Sequence, residues 1–153
     1  MTATPPAVDR GTWPGEPGYL RYPHVAHDLI TFAAEDDVWL ASLSDAADGC
    51  GSRAWRLTAD QVPVLHPRLN PSATHVAWTS ARDGSRSLAG GTAREAYAVP
   101  TGGGSVSRLT YWGDRFATVR GWVSDHEVVV LSRNPAAVDA GRGVGWDGVS
   151  PGP

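Results

Sequence analysis

At 153 residues, 41% of them hydrophobic and seven of them Trp, the chain is long enough to enclose one core, which excludes a globally disordered protein, while 18 Gly and 12 Pro forecast short elements and many turns. A formal net charge of -3 and a pI near 5.9 exclude the basic footprint of a nucleic-acid or anionic-membrane binder. All thirteen basic residues are Arg, which also excludes a P-loop lysine, a Schiff-base lysine and a lysine general base.

Met1 to Gly18 are rich in Pro and Gly and lack the basic start and apolar stretch of a secretory signal. They read as a disordered leader, residues 1–18, of a soluble cytoplasmic protein. No later stretch is long and apolar enough to cross a bilayer. Cys50 is the single cysteine, so it has no partner for an internal disulfide, which fits a reducing compartment.

Residues 19–62 read as a first unit: Tyr22-Pro23-His24-Val25, a strand Leu29–Ala34, a turn at Glu35-Asp36-Asp37, a strand Val38–Leu43 and a closing Arg56-Leu57-Thr58. Residues 63–114 repeat that order with His66-Pro67-Arg68-Leu69, the turn Asn70-Pro71-Ser72, a strand His75–Ser80, the turn Arg82-Asp83-Gly84, a strand Glu95–Pro100 and a second Arg-Leu-Thr at Arg108-Leu109-Thr110. Residues 85–94 are more than a hairpin needs and read as a flexible insertion at a loop tip. A third unit begins within 115–134 with Val119-Arg120-Gly121-Trp122, the turn Ser124-Asp125-His126 and the strand Glu127–Ser132. The rest, 135–153, has Gly and Pro with scattered apolar residues and reads as a disordered tail.

A period of roughly 40–50 residues with four short strands per unit is the signature of a propeller blade, a small sheet that buries its faces on its neighbours. The expected fold is all-β: a partial β-propeller of two full four-stranded blades, 19–62 and 63–114, plus an incomplete third, 115–134. Phe32 and Trp78 take matching places in the inner strands, and Trp39 and Tyr97 match one strand later; all four are assigned to packing between blades.

The chemistry of individual side chains points to no catalytic, cofactor-binding or metal site. A Gly-x-Ser-x-Gly elbow is missing from the sequence, and His126 after Asp125 reads as a solvated turn histidine. His24 and His27 sit at the start of a strand, where their spacing does not bring two ligands to one face, and read as surface or interblade hydrogen-bonding groups. Cys50 between Gly49 and Gly51 reads as exposed and noncatalytic, without a basic group placed to lower its pKa. Gly143-Val144-Gly145-Trp146-Asp147-Gly148 matches a dinucleotide fingerprint in letters only, since no strand enters it and no helix leaves it. Gly102-Gly103-Gly104 reads as a loop between third and fourth strands. The acidic run Glu35-Asp36-Asp37 reads as solvated hairpin chemistry, weak Ca²⁺ binding being the remote alternative.

Several motifs together resemble the first propeller of tricorn protease homologues, within the broader TolB-like or WD40-like propeller repeats. They are the opening Gly18-Tyr19-Leu20-Arg21-Tyr22-Pro23, Thr79-Ser80-Ala81-Arg82-Asp83-Gly84, Glu95 to Pro100, and Arg108-Leu109-Thr110-Tyr111 leading to Trp112. The resemblance covers roughly Gly18 to Arg133. It implies a large, homo-oligomeric cytoplasmic serine protease as parent, in which propellers precede a separate catalytic region and act as gates or channels for peptides. None of the family's catalytic positions has a counterpart here. The family's basic pair for a peptide's terminal carboxylate has none either, because no two Arg are adjacent, and that role is not carried to Arg115 or Arg120.

The first functional expectation is therefore a noncatalytic propeller segment whose partners are peptides or a protein docking on the propeller loops, without cofactor, nucleic acid or membrane. The alternatives are a TolB-like protein-interaction module and a truncated reading frame without function. Because about three blades leave terminal faces bare, the isolated chain is expected to be marginal, aggregation-prone or oligomeric.

Overall fold

In the computed structural model the described residues are 19–44, 53–84 and 91–133, with 144–145 described for their backbone alone. Runs of β-branched and aromatic residues bounded by Gly, Pro, Asn and Asp form eleven strands among them. The first antiparallel sheet holds β1 (Arg21–Ala26), β2 (Leu29–Ala34), β3 (Asp37–Ser42) and β4 (Ala54–Arg56) in chain order. The second repeats it with β5 (Val64–Leu69), β6 (His75–Ser80), β7 (Glu95–Pro100) and β8 (Ser107–Arg108). The third has β9 (Thr118–Ser124), β10 (Glu127–Leu131) and β11 (Val144–Gly145). Two four-stranded sheets and a three-stranded one, stacked without closing a ring, are the expected all-β partial propeller.

The register makes the repeat literal. Phe32 lies opposite Trp39 on β2 and β3, and Trp78 lies opposite Tyr97 on β6 and β7. The β2–β3 hairpin turns on Glu35 (φ 49°) and Asp36 (φ 60°), both left-handed as a two-residue type I′ turn requires, and Arg21 reaches Asp36 at 3.2 Å. In the first strand of each full blade the residue before a proline bulges out of register: Tyr22 (φ 56°) before Pro23 and His66 (φ 51°) before Pro67. These two rings meet across the blade boundary with centroids 4.4 Å apart.

Side chains alternate between the two faces of each sheet. Ala33, Val38 and Leu40 of the first blade pack on Val76, Trp78, Tyr97 and Val99 of the second. The opposite face of the second blade is built from the small residues Ala77, Ala96 and Ala98, which meet Val119 and Val128 of the third. The middle blade is thus covered on both sides, and five of the six residues of β7 are buried. Trp78 and Tyr97 stack within an interblade core, as expected, with centroids 6.0 Å apart. Phe32 and Trp39 do not join that core. Alternation puts them on the other face of the first blade, beside Tyr19 and Leu20, where no described blade covers them.

Two stretches differ from the sequence reading. Of residues 85–94, positions 85–90 lie outside the described residues, while Ala93 is buried and the Arg94 N–H donates to the Asp114 carbonyl at 2.8 Å. Within 135–153, Val144 and Gly145 pair with Val128 and Glu127, adding a third strand to the last sheet; the rest of that range, like the leader 1–18, lies outside the described residues.

The double-sided burial of the middle blade sets an expected outcome. Trp78→Ala, which empties the first interblade core, should lower the unfolding free energy by about 4 kcal/mol in denaturant titration, whereas Val123→Ala, two-thirds exposed on β9, should change it by less than about 0.5 kcal/mol.

Candidate functional site

The repeated Arg-Leu-Thr has a partner that its own letters do not show. Where β3 begins, Asp37 is fully buried, and its carboxylate accepts the Thr58 hydroxyl at 2.7 Å, the Asp60 N–H at 3.1 Å and a guanidinium hydrogen bond from Arg56. Where β7 begins, the buried Glu95 accepts the Thr110 hydroxyl, the Gly113 N–H at 2.7 Å and the Trp112 N–H at 3.3 Å, and pairs with Arg108 at 3.2 Å. In both copies the threonine oxygen accepts the N–H of the residue after the acid, from Val38 at 3.0 Å and Ala96 at 2.9 Å. In both, the arginine Nε donates to the threonine carbonyl, at 2.9 and 2.8 Å. The expectation of a solvated acidic turn at 35–37 therefore fails at Asp37: a carboxylate with two neutral donors and a guanidinium is stable away from water. Burial, then the nearby Asp83 charge, pushes the hydroxyl of Tyr97, beside the second clasp, up to about 12.

The inner strands are tied across blade boundaries. His24 Nδ1 accepts the Leu69 N–H at 3.1 Å, Trp122 Nε1 donates to the Arg68 carbonyl at 2.9 Å and His27 Nε2 donates to the Pro71 carbonyl at 2.8 Å. Asp125 accepts the Ser72 N–H at 2.7 Å, so the turn holding Asp125 and His126 is part of a loop network at that end, and His126 itself is exposed. Burial, then Arg68, lowers the pKa of His24; burial, then Arg68, Arg120 and Arg94, lowers that of His66. Both imidazoles are held toward the neutral form at the seam of the first two blades.

At the junction of the second and third blades lies a cleft of about 510 Å³ whose lining includes Leu65, Ser80, Thr92, Arg94, Arg115 and Phe116. The Arg94–Asp114 backbone bridge brings Arg94 beside Arg115, although they are far apart in the sequence. Neither guanidinium has an ion pair among the described residues, whereas Arg21, Arg56, Arg82 and Arg108 all do. Gly91 (φ 87°) gives Arg115 its room: a Cβ there would stand 3.3 Å from Arg115 Nε. The Arg133 guanidinium stands over Phe116, 4.3 Å from its ring centroid. Sequence reasoning set Arg115 aside and missed Arg94. Among the described residues no group of three or more His, Cys, Asp or Glu is placed to hold a metal, and Cys50 lies outside them.

The model of the tricorn protease N-terminal β-propeller domain matches residues 17–144. The chain belongs to the tricorn N-terminal β-propeller family. Tricorn protease homolog 1 of Streptomyces coelicolor is 50% identical over 121 residues, which are 79% of this chain and 10% of that protein. A putative tricorn-like protease N-terminal subunit of Sulfurisphaera tokodaii is 32% identical over 117 residues, 75% of this chain and 53% of that one. The chain thus spans about a tenth of the first relative and about half of the second. The crystal structure of the tricorn protease superposes with a TM-score of 0.59 at 21% identity, over 74% of this chain and 11% of that one. The β-propeller domain of the Trilobed protease from Pyrococcus furiosus, described as having an open velcro topology, superposes with a TM-score of 0.51 at 13% identity, over 75% of this chain and 34% of that one. Among the described residues no helix is long and apolar enough to cross a membrane.

For this tricorn-type propeller the clasps and the histidine seam give two checks. Arg56→Leu leaves the buried Asp37 without its cation and should cost about 3 kcal/mol, and Thr110→Val, which strands the Ala96 N–H and a Glu95 oxygen, about 2 kcal/mol; both are read from denaturant midpoints. The depressed histidine pKa values mean that the unfolded chain binds more protons. Stability is then fully present above the ordinary histidine value of 6.5 and falls as pH drops below it. Thermal unfolding between pH 7 and 5 should show that fall, and His24→Gln with His66→Gln should flatten it.

Proposed function

We propose that the chain is a noncatalytic propeller segment that admits and orients peptides for a cytoplasmic, homo-oligomeric serine protease whose catalytic machinery lies outside it. The observation that carries this reading is the cleft between the second and third blades, where Arg94 and Arg115 present guanidinium groups without ion pairs among the described residues beside the aromatic ring of Phe116. A guanidinium meets a carboxylate in a bidentate fork, and a carboxylate is what a peptide offers at its end and on its acidic side chains. Family membership and the relatives' description as proteases support the peptide as ligand. Orientation follows from one charged anchor at a blade seam with an apolar wall beside it.

The test is fluorescence anisotropy with a labelled short peptide in two forms, free acid and carboxy-terminal amide. The free acid should bind more tightly, and Arg94→Ala with Arg115→Ala should weaken it roughly tenfold, about 1.4 kcal/mol. Equal binding of the two forms, unchanged in the double variant, would overturn the reading. The chain should also leave short peptides intact; turnover that disappears on replacing a single Ser would make it an enzyme in its own right.

A further inference from the structure

The first strands of the three blades lie side by side, with β5 between β1 and β9, and each is interrupted at a corresponding place. Tyr22 and His66 are the bulged residues of β1 and β5. In β9 the register passes from Val119 opposite Val130 to Gly121 opposite Val129, so the pairing skips Arg120. A bulge leaves its extra residue outside the ladder and re-aims its side chain. Tyr22, His66 and Arg120 thus form a row across the three first strands. The rings of Tyr22 and His66 are 4.4 Å apart, and the charges of Arg120 and of Arg68, next but one to His66 in β5, act on His66. Both neighbours of β5 are described, so the surroundings of His66 and Arg68 along the row are those that β1 and β9 provide.

The row is cationic. Among the described residues neither Arg68 nor Arg120 has an ion pair, and the Arg68 guanidinium donates to the neutral Pro67 carbonyl at 2.9 Å. Burial, then Arg120, lowers the pKa of Arg68, and the groups that lower that of His66 after burial are Arg68, Arg120 and Arg94; no carboxylate acts on either. Arg94 lines the cleft between the second and third blades, so row and cleft adjoin. Like charges grouped without an anion are unfavourable in the empty chain and favour an anion that enters.

We propose that the row of His66, Arg68 and Arg120 binds acidic side chains of a peptide held by this segment, which makes acidic peptides its preferred ligands. The proposal rests on the peptide-binding reading above and adds a preference set by residues outside the Arg94–Arg115 cleft. Each guanidinium offers a planar fork to a Glu or Asp carboxylate, and the imidazole beside them donates a further hydrogen bond from a ring nitrogen. The chain as a whole carries a net charge of -3, so the sign of the row is opposite to that of the molecule, and its preference is local.

Fluorescence anisotropy with short labelled peptides tests it, the internal residues being Glu or the isosteric Gln and each peptide made as free acid and as carboxy-terminal amide. In both terminal forms the Glu peptides should bind about fivefold more tightly than the Gln peptides, the size of one partly exposed ion pair. The net charge of the chain alone would produce the reverse order. Arg120→Glu, at an exposed position, should abolish or invert the Glu preference, and Arg68→Gln should weaken it. Both should leave the free-acid preference intact, because that belongs to Arg94 and Arg115. Equal binding of Glu and Gln peptides, or a Glu preference that Arg120→Glu leaves unchanged, would overturn the proposal while a persisting free-acid preference upholds the peptide reading. Binding of none of the four peptides would overturn both. Circular dichroism checks that each variant is folded, and Arg120→Gln, which removes the charge without reversing it, provides a second variant at the exposed position.

Discussion

A small antiparallel sheet with apolar side chains on both faces is stable only when both faces are covered. The middle blade meets that condition within the chain. Its large residues, Trp78, Tyr97, Val76 and Val99, look toward the first blade and its alanines toward the third, so the packing is directional: a bulky face on one blade fills the shallower face of the blade before it. Among the described residues, the blades on either side meet a neighbouring blade on one face only. That asymmetry sets where the core lies.

Stacking alone does not hold a blade's outer strand, because β4 and β8 are only three and two residues long. The buried clasps do that work. Asp37 and Glu95 each gather a guanidinium from the last residue of the outer strand, and a threonine hydroxyl with one or two backbone amides from the segment that follows it, locking both to the start of the third strand. A buried carboxylate is costly unless fully satisfied, so the same group that fastens the segment also penalises any misplacement of it. The first clasp lies close to the start of the linker to the second blade, and the second clasp takes its amides from Trp112 and Gly113 as the chain heads for the third. The second linker continues into Asp114, whose carbonyl accepts the Arg94 N–H at 2.8 Å, so the second clasp and the cationic cleft adjoin in the chain.

Much of this was legible in the sequence. Alternation and turn residues located β2, β6 and β7, and the matching of Phe32 with Trp78 and of Trp39 with Tyr97 fixed the register, because a hairpin has few ways to pair. The recurrence of Arg-Leu-Thr was visible as well. Its acidic partners were not, since Thr58 lies 21 residues after Asp37 while Thr110 lies 15 after Glu95, and one acid is shorter than the other. Loop length between paired strands hides such a contact from any fixed spacing. The faces of Phe32 and Trp39 were hidden for a different reason: period-two alternation says that two faces exist, and only the stacking says which one has a neighbour. Arg94 and Arg115 come to one cleft through a backbone bridge from Arg94 to Asp114 that leaves no periodic trace.

The blade covered on both sides is the stable heart of the chain, and its neighbours depend on it. Hydrogen exchange by mass spectrometry, at concentrations low enough to keep copies apart, tests it most directly, because amide protection follows local opening free energy. Peptides covering β6 and β7 should exchange slowest, with β2, β3 and β10 opening first. Protection of β10 or of the first blade equal to or greater than that of β6 and β7 would contradict the account.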